Sequence, residues 1–231
     1  SSKPGDEPTS TAIFSLEMPK EQIVKNILSA EAGVDGEKLR SFNLTEEEYA
    51  NVRAAGEGMA KAPIHINDAA GLSAPALRAH CRRLRHRENL GLIIVDYLQL
   101  MRAASRSDSR EQDVAEISRD LKATARELRI PLIAVSQLNR SPEGRTDKRP
   151  QLSDLRESGA LEQDADVVVL LYREEYYDHG PKVEGGGPAA GYNTAEAIVA
   201  KNRNGRTGSV TLTFLKEWLR FENYSGGGPP Q

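Results

Sequence analysis

Cysteine is nearly absent: the 231 residues contain one, Cys81. An internal disulfide framework is therefore excluded, and the usage fits a reducing cytosol. Aromatic residues are sparse, with Trp218 the one tryptophan. No apolar run approaches the roughly 20 residues that a membrane helix needs. The opening "SSKPGDEPTS" has no apolar stretch of the kind a signal peptide carries. Charge of one sign is lacking too. A net charge of −3 gives no global nucleic-acid signature, so contact with DNA or RNA must come from a local basic patch.

What remains is a globular composition, 38% hydrophobic and 28% charged, long enough for one full-sized core. Residues 1–10 and the Gly/Pro-rich tail 225–231 read as linker or disordered, leaving 11–224 as the folded part. Within it, strand and helix signals alternate. "TAIFSLE" (11–17), "APIHIND" (62–68), "GLIIVD" (91–96), "IPLIAVSQ" (130–137) and "DADVVVLLY" (164–172) are apolar runs of strand length. The last two are continuous, as expected of strands buried on both faces of a parallel sheet. Pro19 opens a helix with Ile23, Val24, Ile27 and Leu28 on one stripe. Thr45 and Glu48 form a capping box for another helix, with Tyr49 and Val52 facing inward. Ser73 caps a helix to about residue 88, and Val114, Ile117, Leu121 and Leu128 mark one over 110–128. From 195 onward, three short strands separated by turn signals predict an antiparallel edge. The fold class is α/β: a mostly parallel sheet flanked by helices, with an antiparallel C-terminal edge.

Open α/β sheets bind ligands beyond the carboxyl ends of their strands. Three strands end there in Glu17, Asp96 and Gln137. One carboxylate at a strand end is commonplace, but Glu, Asp and Gln on one rim suit a nucleotide. The aspartate can hold Mg²⁺ through water, the glutamate can activate a water, and the glutamine can sense a γ-phosphate. Lys201 and Arg203 alternate along one strand and so share a side. As residues alone they read equally as charges protecting a solvated edge. Helix 73–88 carries Arg78, Arg82, Arg83, Arg85 and Arg87 all around its circumference, which suits a solvated or subunit-facing surface.

"IFSLEMP", "IIVDYLQLM", "SQLNR", "DLRESGALEQDAD" and "KNRNG" stand in the order and approximate spacing of the C-terminal ATPase domain of DnaB-type replicative helicases. The chain resembles that family from about residue 11 to 224. The resemblance implies a RecA-like P-loop NTPase core. It also implies a homo-hexameric ring that hydrolyses ATP with Mg²⁺ at subunit interfaces and moves 5′→3′ along single-stranded DNA. A primase and a helicase loader are the implied partners, with no membrane. The implied setting is cytoplasmic and nucleoid-associated, of bacterial type. Glu17 resembles the catalytic glutamate, Asp96 the Walker B aspartate and Gln137 the γ-phosphate sensor. Lys201 and Arg203 resemble the fingers that reach a neighbour's nucleotide. Arg156, Glu157 and Gly159 resemble the loop that tracks the DNA backbone, and Arg140, Arg145, Lys148 and Arg149 add basic residues beside it.

The pattern also departs from the family. No G-x-x-x-x-G-K-[ST] phosphate loop occurs in the chain. The first core strand and the helix after that loop are missing with it, which predicts a fragment unable to bind ATP alone. "GPKVEGGGPAAGY" (180–192) is longer than the family usually has, and Asn26 stands where relatives often place an arginine. Two other functions stay open. A RecA-type recombinase-like ATPase would form open filaments rather than rings. An ATPase-dead module would bind DNA or a helicase ring without ATP.

Overall fold

A computed structural model describes residues 9–104, 109–139, 144–176 and 190–224. Two four-stranded sheets carry it. The first is wholly parallel: β1 (Ser10–Ser15), β2 (Ile64–Asn67), β3 (Leu90–Asp96) and β4 (Leu132–Ala134), in the order β2-β1-β3-β4. The second is antiparallel and sequential: β5 (Val167–Tyr172), β6 (Ala190–Asn202), β7 (Gly208–Leu215) and β8 (Arg220–Asn223). The expected α/β class with an antiparallel C-terminal extension is therefore present.

Helices α1 (Lys20–Ala32), α2 (Gly36–Ser41), α3 (Glu46–Lys61), α4 (Ala74–Arg87), α5 (Arg110–Leu128) and α6 (Gly159–Asp164) complete the fold. Their starts follow the expected chemistry. Thr45 Oγ1 accepts the Glu48 N–H while Glu48 accepts the Thr45 N–H, so both orphan donors are satisfied. Ser73 caps α4 through the Ala76 N–H. Pro19 is the N-cap of α1, and the Lys20 N–H it leaves exposed donates to Asp68 beyond β2 (3.0 Å). Three turns close on non-glycine residues in the left-handed region: Phe42 after α2 (φ 56°), Arg129 after α5 (φ 54°) and Leu219 before β8 (φ 52°).

The core lies where α4 and α5 cover the parallel sheet. Phe14, Leu77, Leu90, Ile93, Val95, Val114, Ile117 and Leu121 pack there with Cys81. Burial pushes the Cys81 thiol up to about 12, so it acts as a small apolar filler rather than a nucleophile. Arg78 and Arg82 reach across to α5, Arg78 to Asp120 and Thr124 and Arg82 to Glu127. That face of α4 thus packs on a helix of its own chain, with the charges paired. Among the described residues, no helix is long and apolar enough to cross a membrane.

Two expectations fail. Tyr49 is 62% exposed, because α3 packs on α1 rather than on the sheet and buries no residue fully. The runs expected to be buried on both faces are not. Ile133 and Val135 are exposed at β4, and Val167, Val169 and Leu171 stand 50–58% exposed along one face of β5. β5 moreover belongs to the antiparallel sheet, not to the parallel one expected, and among the described residues both strands are the outer members of their sheets, each without a pairing neighbour on one side.

Candidate active site

The parallel register puts the carboxyl ends of four strands on one rim. Ser15 pairs with Asp96, and the Leu16 N–H donates to the Asp96 carbonyl (2.7 Å). The Ser15 hydroxyl donates to the Met18 carbonyl (2.7 Å) and accepts the Met18 N–H (3.2 Å). This closes a tight turn with Glu17 exposed at its tip. Adjacent strands lie about 4.8 Å apart, so Glu17 and Asp96 leave the sheet as neighbours. Asp68, at the end of β2, is held below the usual carboxylate range by the Lys20 N–H it accepts.

On the other side of Asp96, the chain beyond β4 is clamped by Gln99. Its amide donates to Ser136 Oγ (2.8 Å) and to the Gln137 carbonyl (3.2 Å), and its Oε1 accepts the Gln137 N–H (3.3 Å). Arg110, the first residue of α5, donates in turn to the Gln99 carbonyl. The structure thus brings Glu17, Asp96 and Gln137 to one rim, in that order. Sequence reasoning passed over Gln99 and Ser15. The available signals were a polar residue three places after Asp96 and a hydroxyl two places before Glu17.

The loop segment joins the same region. The Asn139 N–H donates to the Asp154 carbonyl (3.0 Å), tying the segment beyond β4 that carries Gln137 to the short kinked helix Leu152–Ser158. Arg145 pairs with Asp154, whose side chain is 4% exposed and also accepts the Gln151 N–H. Arg149 donates to Glu196 (2.8 Å) and lies 5.2 Å from the centre of the Tyr172 ring. Both arginines are therefore engaged within the chain. Lys148 is partly buried. Arg140 lies outside the described residues, as do the side chains of Arg156 and Glu157. Gly159 is exposed, with no atom within 4 Å of the position a Cβ would take, so its bare backbone faces open space.

Lys201 and Arg203 do share a side, and both meet the end of α6. Lys201 donates to the carbonyls of Glu162 and Gln163. Arg203 donates to the Gln163 carbonyl (2.6 Å) and to Asp166 (3.3 Å), while its own N–H donates to the Asp166 carbonyl (2.9 Å). The last carbonyls of a helix carry partial negative charge, which favours cations there. Asp166 is held below the usual carboxylate range by the hydrogen bond from the Lys122 ammonium, helped by the charge of Arg203. Ser118 of α5 donates to Asp164 (2.7 Å), so both aspartates of this turn are anchored to α5.

Among the described residues the rim offers hard oxygen donors: the carboxylates of Glu17 and Asp96, with the Ser136 hydroxyl and the Gln137 amide beside them. Among the described residues no three His, Cys, Asp or Glu side chains converge as a metal cage. That donor set fits Mg²⁺, which keeps several waters and takes few carboxylates.

The sequence matches the family of the DnaB-like helicase C terminal domain over residues 3–223. It is 48% identical over 215 residues to the replicative DNA helicase DnaC of Bacillus subtilis (strain 168), covering 93% of this chain and 46% of that protein. It is 46% identical to the replicative DNA helicase DnaB of Geobacillus stearothermophilus, covering 92% of this chain and 45% of that protein. The chain thus spans about half the length of these curated relatives. The fold matches a solved ATPase-domain structure with a TM-score of 0.87 at 37% identity, covering 94% of this chain and 75% of that one. A second, "The Structure Of A DnaB-Like Replicative Helicase And Its Interactions With Primase", matches with a TM-score of 0.86 at 37% identity, covering 94% of this chain and 51% of that one. With the family matched over nearly its whole length and its strand ends meeting on one rim, the chain belongs to the DnaB-like helicase C-terminal domain family.

Proposed function

We propose that this chain is the motor part of a replicative DNA helicase, coupling ATP hydrolysis to 5′→3′ movement on single-stranded DNA and to duplex unwinding. The observation that carries the reading is the meeting of Glu17, Asp96 and Gln137 on one rim, with Gln137 tied through Asn139 to the loop at 152–159. Glu17, exposed on its Ser15-braced turn, orients and polarises the attacking water. Asp96 would hold Mg²⁺ through water, and the ion would supply positive charge to offset the negative charge on the phosphates. Gln137, fixed through its backbone by Gln99, reports the γ-phosphate to the loop.

Arg156, Glu157 and Gly159 contact the DNA backbone, with Arg140 and Lys148 adding positive charge beside them. Lys201 and Arg203 serve a neighbouring subunit's nucleotide in a homo-hexamer. Primase and a helicase loader are the partners, and the setting is the cytoplasm, at the nucleoid. The chain has no G-x-x-x-x-G-K-[ST] segment, so phosphate binding belongs to the longer protein that carries it.

The test is ATP hydrolysis by that full-length protein with and without single-stranded DNA. DNA-stimulated turnover that falls by about 10³-fold or more in Arg203→Ala supports the reading, since a finger is worth roughly 10³–10⁵ in rate. Undiminished turnover in that variant removes the finger assignment. The absence of ATP hydrolysis in the parent removes the motor.

A further inference from the structure

Arg203 has both of its terminal nitrogens engaged within its own subunit: one donates to the Gln163 carbonyl, the other to Asp166. Lys201 is turned to the same helix end. A side chain serving a neighbour's phosphate must loosen at least part of this hold. The hold is built rather than incidental. Asp166 is anchored from behind by Lys122, and Asp164 by Ser118, so α5 fixes the turn against which the two cations rest. The other end of the same short helix is Gly159, which follows directly on the turn Leu152–Ser158. One element therefore has the proposed DNA loop at its start and the proposed fingers at its end.

We propose that Asp166 and the terminal carbonyls of α6 stow Arg203 and Lys201, and that DNA at the loop shifts α6 and frees them for the neighbouring site. Asp166 is thus a positioning residue, acting through Arg203 on the rate of hydrolysis. This rests on the finger assignment made above. It places DNA stimulation partly in α6, in addition to the path through Gln137.

Both partners of the ion pair are about half exposed (44% for Arg203, 54% for Asp166), so solvent screens it and the expected effect is moderate. In the full-length helicase, Asp166→Asn keeps the shape and weakens the charge-assisted hold. DNA-free ATP hydrolysis should rise about two- to fivefold, and the ratio of DNA-stimulated to DNA-free turnover should fall by a similar factor. Lys122→Met provides the opposite sign. Lys122 also competes with Arg203 for the Asp166 charge, so its removal leaves that charge to Arg203 and the neighbouring Arg126 and should lower DNA-free hydrolysis.

If both variants raise DNA-free hydrolysis, general loosening of the helix end explains the effect and the stowing proposal falls. It also falls if the stimulation ratio of Asp166→Asn equals that of the parent. Arg203→Ala separates the two layers. Near-normal hydrolysis in that variant removes the finger assignment itself. Loss of hydrolysis in Arg203→Ala with an unchanged ratio in Asp166→Asn removes only the stowing.

Discussion

Gln99 holds Gln137 by its main chain, donating to its carbonyl and accepting its N–H, so the side chain of Gln137 stays available at the rim. The hold fixes where that side chain starts without using it.

The first prediction concerns this clamp. Gln99→Leu in the full-length helicase removes three hydrogen bonds to residues 136 and 137. Each is worth about 0.5–1.5 kcal/mol when intact. DNA-stimulated kcat should fall by about tenfold or more, with the KM for ATP changed less than about twofold, because in the proposed function the lost contacts orient the sensor Gln137 rather than bind nucleotide. Steady-state kinetics with and without single-stranded DNA checks both numbers.

The second concerns Glu17. Glu17→Gln keeps the size of the side chain and the Ser15 turn but removes the charge proposed to polarise water. Hydrolysis should be lost by about 10²-fold or more, while binding of a fluorescent ATP analogue stays within about threefold of the parent. Near-normal turnover would take Glu17 out of the catalytic role.

The third concerns the open sheet edges. Among the described residues, Ile133 and Val135 at β4 and Val167, Val169 and Leu171 on β5 are exposed, and both strands are the outer members of their sheets. Exposed, apolar strand edges pair with other chains. Light scattering should show concentration-dependent association of the isolated chain, reduced by Val169→Lys. A monodisperse monomer with a cooperative melt would contradict this.

The fourth concerns pH. His80 stands edge-on to Phe14, with ring centres 5.6 Å apart. Its imidazole is pushed below its ordinary value by burial first, then by the charges of Arg83 and His65. A depressed folded-state pKa means that the unfolded chain binds the proton better. The contribution is therefore complete above about pH 6.5 and is lost as pH falls through the folded value. The thermal midpoint of this domain in the full-length protein should drop between about pH 7.5 and 5.5, and His80→Gln should flatten that drop. The depressed carboxylates Glu48, Glu127 and Asp166 act in a separate window, below about pH 4.5.

What the sequence made legible was local. The Thr45 capping box, the cap at Ser73, the apolar strands and the polar residues that end them depend on neighbours a few positions away. The orientation of Tyr49 was not legible, because it depends on which element α3 packs against. The clamp of Gln99 on Ser136 and Gln137 spans 37 and 38 residues, and no periodicity reports such a pairing. Arg145 and Arg149 look like free positive charge in a loop; their carboxylate partners, Asp154 and Glu196, lie 9 and 47 residues on. The exposed face of β5 was hidden for a related reason. A continuous apolar run states that a strand should be covered, not what covers it.

The left-handed closures at Phe42, Arg129 and Leu219 bear on how robust this protein is. A side chain in that region crowds its own carbonyl and costs about 1–2 kcal/mol relative to glycine. Each is a place where a single exchange to glycine would raise the melting temperature without approaching the rim. None of the three residues is assigned a part in binding or catalysis, so this domain keeps a margin of thermal tolerance that an engineer could recover one turn at a time.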